Sequence, residues 1–206
     1  MTDSVQVTDP LVSRIKFDRE VADFRGLAAD FGRRGWFLVE EAFPKILVLL
    51  AAPQIKPTPI VTGVLLDYSD YDVRPPSVRL VDPFTREPYP AGDLPTNLLR
   101  AVEMEGPQMV GLPPGVMPGR MVHQQPLMQS HPGSDEPPFL CLSGVREYHD
   151  HPAHSGDLWE LHRAGGAGRL VRLLEVIDTY GVRPINGFHV NLVPQITGLT
   201  QANVPR

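Results

Sequence analysis

Residues 36–82 read WFLVEEAFPKILVLLAAPQIKPTPIVTGVLLDYSDYDVRPPSVRLVD, and the architecture depends on how this run divides. Phe43-Pro44 and the prolines from Pro53 to Pro59 cut it into WFLVEE (36–41), KILVLLAA (45–52) and IVTGVLLDYS (60–69). Each piece is short, rich in β-branched and aromatic residues, and bounded by turn formers, which is the pattern of a strand. SVRLVDPF (77–84) alternates apolar and polar positions and supplies a fourth segment. Strands this close in sequence pair most simply with their neighbours, which predicts a four-stranded antiparallel meander.

Upstream, Val21, Phe24, Ala28 and Phe31 recur at helical spacing between Asp18 and Arg34. Acids open that segment, arginines close it and Gly35 follows as a stop, so a helix over 18–34 is expected. Residues 1–17 read as a leader, and residues 18–206 as one domain. Downstream, regularity fades from Thr85 to Pro138. TNLLRAVEME (96–105) predicts a short helix and GLPPGVMPGR (111–120) a loop. AGRLVRLLEVIDTYG (167–181) is the clearest late helix, with Leu170, Leu173, Leu174 and Ile177 on one face and Gly181 as its cap. Leu161 and Trp159 are expected in the core, and GFHVNLVPQI (187–196) as an extended end. A helix, a meander, an irregular span and a last helix make an α+β domain.

Composition narrows the partners. The 206 residues carry a formal net charge of −5, with no basic run longer than Arg33-Arg34, so neither nucleic acid nor an anionic membrane is expected as a partner. ILVLLAA (46–52) is far too short to span a bilayer, and MTDSVQVTDP lacks the order of a secretory signal. The single cysteine excludes an internal disulfide and predicts a reducing, cytoplasmic location. Proline, at 23 of 206 residues, is about twice the usual share. It is dense from Pro88 to Pro138, a span read as a partner surface.

That cysteine, Cys141, lies in FLCL (139–142), ten positions after His131 of His131-Pro132-Gly133. Its apolar neighbours are compatible with a buried thiol packing as a small hydrophobe. They are equally compatible with a nucleophile at the edge of the core. The insert 145–158 contains EYHDHPAHSGD, with Glu147, His149, Asp150, His151, His154 and Asp157. His149, His151 and His154 are spaced as three nitrogen ligands for zinc, with Cys141 as a fourth, an alternative that competes with a free reactive thiol. A further reading sets one of these histidines, His149 foremost, or Asp150 or Asp157 beside Cys141, to lower its pKa or take a proton from the incoming nucleophile, and a solvated polar loop is the plain alternative.

Three local motifs in this order resemble the ubiquitin-conjugating enzyme family. YDVRPPSVRLVD (71–82) is similar to its Tyr-Pro-x-x-Pro-Pro-x-Val-x-Phe signature at Tyr71, Pro75, Pro76 and Val78, with Asp72 in place of a proline and Leu80 in place of an aromatic residue. His131-Pro132-Gly133 resembles the family's His-Pro-Asn, with glycine for asparagine. FLCLSG (139–144) resembles the surroundings of the catalytic cysteine, and Trp159 the tryptophan that follows it. The histidine-rich insert before Trp159 is longer than in typical members, and the pattern is most similar to divergent bacterial members encoded with ubiquitin-like conjugation systems.

The resemblance implies a UBC-like fold with a long irregular active-site segment. It implies that Cys141 accepts a ubiquitin-like protein as a thioester from an activating enzyme and passes it to a nucleophile on a target protein, with no cofactor. His131 would shape the site, with Ser130, Pro132 and Gly133 in the active-site loop. Arg19, Arg25, Arg33 and Arg34 on the first helix would dock the activating enzyme. Where asparagine would support an oxyanion, Gly133 offers only its backbone, and Ser130, Ser134 and His123 are candidate substitutes. A non-catalytic binding module for the same partners is the rival from another class.

Overall fold

Four strands, β1 (Trp36–Ala42), β2 (Lys45–Ala51), β3 (Ile60–Asp67) and β4 (Ser77–Val81), pair in the order β1-β2-β3-β4, all antiparallel. This is the meander expected from the proline punctuation. The computed structural model describes residues 7–105, 120–130 and 136–189. His131, Pro132, Gly133 and Ser134 fall outside them, as do most of the 111–120 loop and the chain from Val190 onward. β2 is central, and Ile46, Val48 and Leu50 are fully buried, in register with Leu66, Val64 and Thr62 of β3. Against this face pack Phe17, Val21 and Phe24 from the N-terminal helix and Leu170, Leu173, Leu174 and Ile177 from the C-terminal one. Each such side chain contributes about 1.5–3 kcal/mol by leaving water.

The first helix differs from its expected span. α1 runs Pro10–Gly26, breaks at Leu27, and is followed by α2 (Ala28–Arg34). It therefore starts inside the stretch read as a leader. The Asp9 carboxylate accepts the Leu11 N–H at 2.9 Å, and Pro10 stands at the first helical position, where a missing N–H costs nothing. Gly26 is a poor helix former at the break. Gly35 closes α2 with φ 85°, and a Cβ there would run into the Ala51 carbonyl oxygen, so glycine meets both demands. Arg34 lies 3.9 Å over the Trp36 ring and donates to the buried Asp178 at 3.2 Å, tying α2 to the turn at Asp178–Val182.

The chain before α1 is anchored by a carboxylate 62 residues downstream. Asp70 Oδ1 accepts the Val7 N–H at 2.8 Å, the Thr8 N–H at 2.7 Å and the Thr8 hydroxyl at 2.9 Å. Burial pushes the Asp70 carboxyl up, but these bonds and the Arg146 charge outweigh it and hold it below its usual value. A depressed folded pKa stabilises the fold above the ordinary carboxylate range, near pH 4, and the gain is lost as pH falls through the folded value. Asp70→Asn is therefore expected to lower stability at neutral pH and to flatten the acid limb of the stability-versus-pH curve, read from urea midpoints at stepped pH. An unchanged acid limb would count against the anchor.

Three other expectations change. The 96–105 stretch is not helical: β5 (Leu99–Glu105) pairs antiparallel with β6 (Arg120–Pro126) as a separate two-stranded sheet. Pairing with the facing strand overrides the helix preference of LRAVEME. Leu161 is 71% exposed, because α4 (Glu160–Arg163) is a single turn whose inward position is held by Trp159. The late helix α5 (Leu170–Ile177) buries the expected face, and then passes into a wider turn over Asp178–Val182 instead of stopping at a Gly181 cap. The coarse α+β class stands. Among the described residues no helix is long and apolar enough to cross a membrane.

Candidate functional site

Cys141 follows a two-residue strand, β8 (Phe139–Leu140), which pairs with β7 (Met128–Gln129). Phe139 and Leu140 are fully buried, and the chain then leaves the core so that Cys141 is partly exposed. The Cys141 N–H donates to the Leu127 carbonyl at 2.7 Å, which fixes the backbone of the thiol to the end of β6.

The insert after the cysteine is held by the Tyr71–Asp82 turn. Arg146, buried at the start of α3 (Arg146–Asp150), donates through Nε to the Pro75 carbonyl at 3.2 Å and through Nη2 to that of Ser69 at 2.5 Å. Its backbone N–H reaches the Pro76 carbonyl at 2.9 Å. Glu147 accepts from the Ser77 hydroxyl and the Val78 N–H and pairs with Arg79. Trp159 donates its indole N–H to the Asp72 carbonyl at 3.0 Å. The prolines and Tyr71 thus serve as the socket for the insert, and Tyr71 packs edge-on against Tyr68. Gly144 lies where a Cβ would run into the Ala167 carbonyl. Gly144→Ala is expected to cost about 2 kcal/mol by overpacking, a fall in Tm of roughly 4–8 °C in a thermal scan. An unchanged Tm would mean that the insert is not clamped there.

Within this frame a short turn, Pro152–His154, brings His154 back to the thiol: its Nε2 lies 3.6 Å from Cys141 Sγ. The His154 ring stacks on Tyr148 at 3.9 Å between centroids. The Tyr148 hydroxyl donates to Asp157 Oδ2 at 2.6 Å, and His162 Nε2 meets Asp157 Oδ1 at 2.6 Å. Burial pushes the Cys141 thiol above its ordinary value, with the Arg100 charge opposing it. Burial and the neighbouring histidines push His154 down, against the pull of Asp157. Burial, with Asp157 beside it, raises the Tyr148 hydroxyl to about 12. The pair at the site is therefore a neutral thiol beside a neutral imidazole, which can take the proton when the sulfur attacks.

The other candidates lie elsewhere. His149 has both ring nitrogens on backbone carbonyls, Nδ1 on Asp157 and Nε2 on Ser143, each at 2.8 Å. Asp150 is exposed and bonds Arg74 at 3.0 and 3.1 Å. The histidine beside the sulfur is thus His154, one of the cluster's histidines that the sequence offers as a neighbour of the thiol, and neither His149 nor Asp150. His151 accepts the Ala153 N–H at 3.2 Å and rests against Phe139. Among the described residues no group of three or more His, Cys, Asp or Glu is arranged to hold a metal ion. The zinc triad His149, His151 and His154 is therefore not assembled: the His149 nitrogens face carbonyls, and His154 faces the thiol. Ser130 and His123 are exposed. Proximity of His154 to Cys141 depends on a turn between them, and no spacing rule in the sequence announces it.

The model of the Y4jH-like family, described as the Y4jH family, matches residues 8–185. A protein of Sinorhizobium fredii (strain NBRC 101917 / NGR234) named "Uncharacterized protein y4jH" is 42% identical over 200 residues, covering 95% of this chain and 94% of that protein.

Proposed function

The chain belongs to the Y4jH-like family, and we propose that it is a ubiquitin-conjugating-like acyl carrier with a UBC-like fold, a transferase that holds a ubiquitin-like protein on Cys141. The observation that carries the reading is the partly exposed sulfur 3.6 Å from the Nε2 of a neutral His154. The helix, the meander and the turn that seats the insert agree with the resemblance read from Tyr71–Asp82 and from the region of Cys141.

The chemistry runs in two exchanges. Sγ attacks the thioester carbonyl of the ubiquitin-like protein on an activating enzyme, and the thiol proton passes to His154 Nε2. The tetrahedral intermediate expels the activating enzyme's thiolate, which takes the proton. A target amine then attacks the Cys141 thioester, gives its proton to His154, and Cys141 leaves as the thiolate that His154 reprotonates. A thioester suits a carrier because it stays reactive toward amines, and the protonated His154 beside the sulfur is placed to reprotonate it as it leaves. The resemblance assigns His131, Pro132, Gly133 and Ser130 to the active-site loop, and the first three lie outside the described residues. The exposed arginines of α1 and α2 belong to it as the docking face for the activating enzyme. No metal or organic cofactor enters.

The test is adduct formation with a ubiquitin-like protein, its activating enzyme and ATP. Wild-type protein is expected to give a band that reducing agent removes; Cys141→Ser gives a reductant-stable oxyester or nothing, and Cys141→Ala gives none. Equal behaviour of wild type and Cys141→Ala would end the reading. The rival, a docking module with an inert cysteine, draws on the burial that raises the thiol. It predicts that iodoacetamide leaves Cys141 unlabelled until the protein is denatured.

A further inference from the structure

Acyl transfer needs a donor for the oxyanion as well as a nucleophile and a base, and Gly133 has no side chain to provide one. Leu98, Arg100 and Val102 alternate onto the inward face of β5, while Leu99 and Ala101 point outward. On the facing strand, Gln125 and Leu127 share that inward face, and Arg100 stands opposite Gln125 in register. The Leu127 N–H donates to the Leu98 carbonyl at 2.9 Å, and the Leu127 carbonyl accepts the Cys141 N–H. Cys141 is therefore bonded to the strand pair on whose inner face Arg100 lies.

Arg100 is poorly matched for a structural role. Its Nη2 donates to Gln125 Oε1 at 2.6 Å, which orients the guanidinium, but Gln125 is neutral. Its Nε is buried with no hydrogen-bond partner among the described residues, and no carboxylate there forms an ion pair with it. A buried N–H without an acceptor costs about 1–3 kcal/mol, and more on a charged group. Such a group is paired or awaits an anion. Its charge also reaches the cysteine, where it opposes the effect of burial on the thiol.

Building on the acyl-carrier reading, we infer that Arg100 is the oxyanion-holding residue of this site: its guanidinium, aimed by Gln125, receives the carbonyl oxygen of the acyl group as the sulfur of Cys141 adds to it. The ligand class is an acyl thioester or activated ester. Negative charge develops on its carbonyl oxygen in the tetrahedral intermediate and returns to the carbonyl when the leaving group departs. The fixed, planar fork of arginine suits this better than lysine, whose charge is compact and strongly hydrated.

Two electrophiles acting on the same thiol test the assignment. p-Nitrophenyl acetate acylates Cys141 through an oxyanion, releasing p-nitrophenolate; iodoacetamide alkylates it by displacement of iodide, with no oxyanion. Both need the sulfur deprotonated, so the ratio of the two rates cancels changes in thiol ionisation. Arg100→Gln is expected to lower the acylation-to-alkylation ratio by about 10²-fold, with Arg100→Lys intermediate. Retained alkylation marks the variants as folded, and Arg100→Lys supplies the comparison if Arg100→Gln does not fold. If wild-type Cys141 is alkylated but not acylated, the carrier reading falls. If it is acylated and both variants keep the wild-type ratio, the assignment of Arg100 alone falls.

Discussion

His154→Gln acylates with p-nitrophenyl acetate at pH 7 about 10²–10³ times more slowly than the wild type, while its far-UV spectrum and Tm stay near wild-type values. The magnitude is that of a positioned general base. The reasoning rests on two directions: burial raises the thiol of Cys141 and lowers the pKa of His154. A thiolate is therefore scarce at neutral pH, and attack depends on a base in contact, which Nε2 provides at 3.6 Å. The sign for pH follows. A lowered imidazole becomes competent below the ordinary histidine value of about 6.5, so the wild-type rate is expected to level off by neutral pH. The variant has no such base, and its rate climbs with pH toward the raised thiol value. Parallel profiles for the two proteins would remove His154 from the mechanism. Tyr148, stacked under the imidazole and bonded to Asp157, orients the ring, so Tyr148→Phe is expected to retain most of the rate.

Glu20→Ala is expected to destabilise the protein by about 3 kcal/mol, the largest single loss on the helical side. Glu20 is 1% exposed on α1, and its Oε2 accepts the N–H of Leu170, the first residue of α5, at 3.0 Å. Its Oε1 lies 3.2 Å from Arg19 and 3.8 Å from Arg169. The carboxylate thus caps one helix from the surface of another and places negative charge at a helix start. Alanine leaves a buried donor without an acceptor, removes the counter-charge of two arginines and opens a void. Glu20→Gln keeps an oxygen for Leu170 and is expected to cost about 1 kcal/mol. Urea midpoints at constant slope measure both, and equal costs for the two variants would refute the capping role.

The meander was readable because Pro44 and the Pro53–Pro59 cluster fall between apolar runs, and the late helix because Leu170, Leu173, Leu174 and Ile177 keep one period. Where those signals stop, the reading strays. The start of α1 lay hidden in a polar stretch whose Asp9-Pro10 pair is itself a start signal. β5 was mistaken for a helix because LRAVEME has good helix formers, and its partner strand RMVHQQP is polar and comes after a long gap. The cysteine was legible as a residue of interest from being alone. Its neighbour was not, because His154 is delivered by a turn, and the proposed oxyanion donor Arg100 comes from a strand 41 positions upstream. Contacts of that kind come from the tertiary fold and leave no periodicity in the chain.

Among the described residues the hairpin of β5 and β6 shares no hydrogen-bond ladder with the meander, and it is fastened at its base by Leu98, packed near Gly181, and by Thr96, whose hydroxyl donates to the Gly181 carbonyl at 2.7 Å. It behaves as a cassette plugged into a finished scaffold. Substitutions at positions 100, 102 and 125 would therefore change the hairpin's inward row while leaving the ladder of the four-stranded sheet untouched. In hydrogen–deuterium exchange the amides of β5 and β6 would open as a unit at lower cost than those of β2.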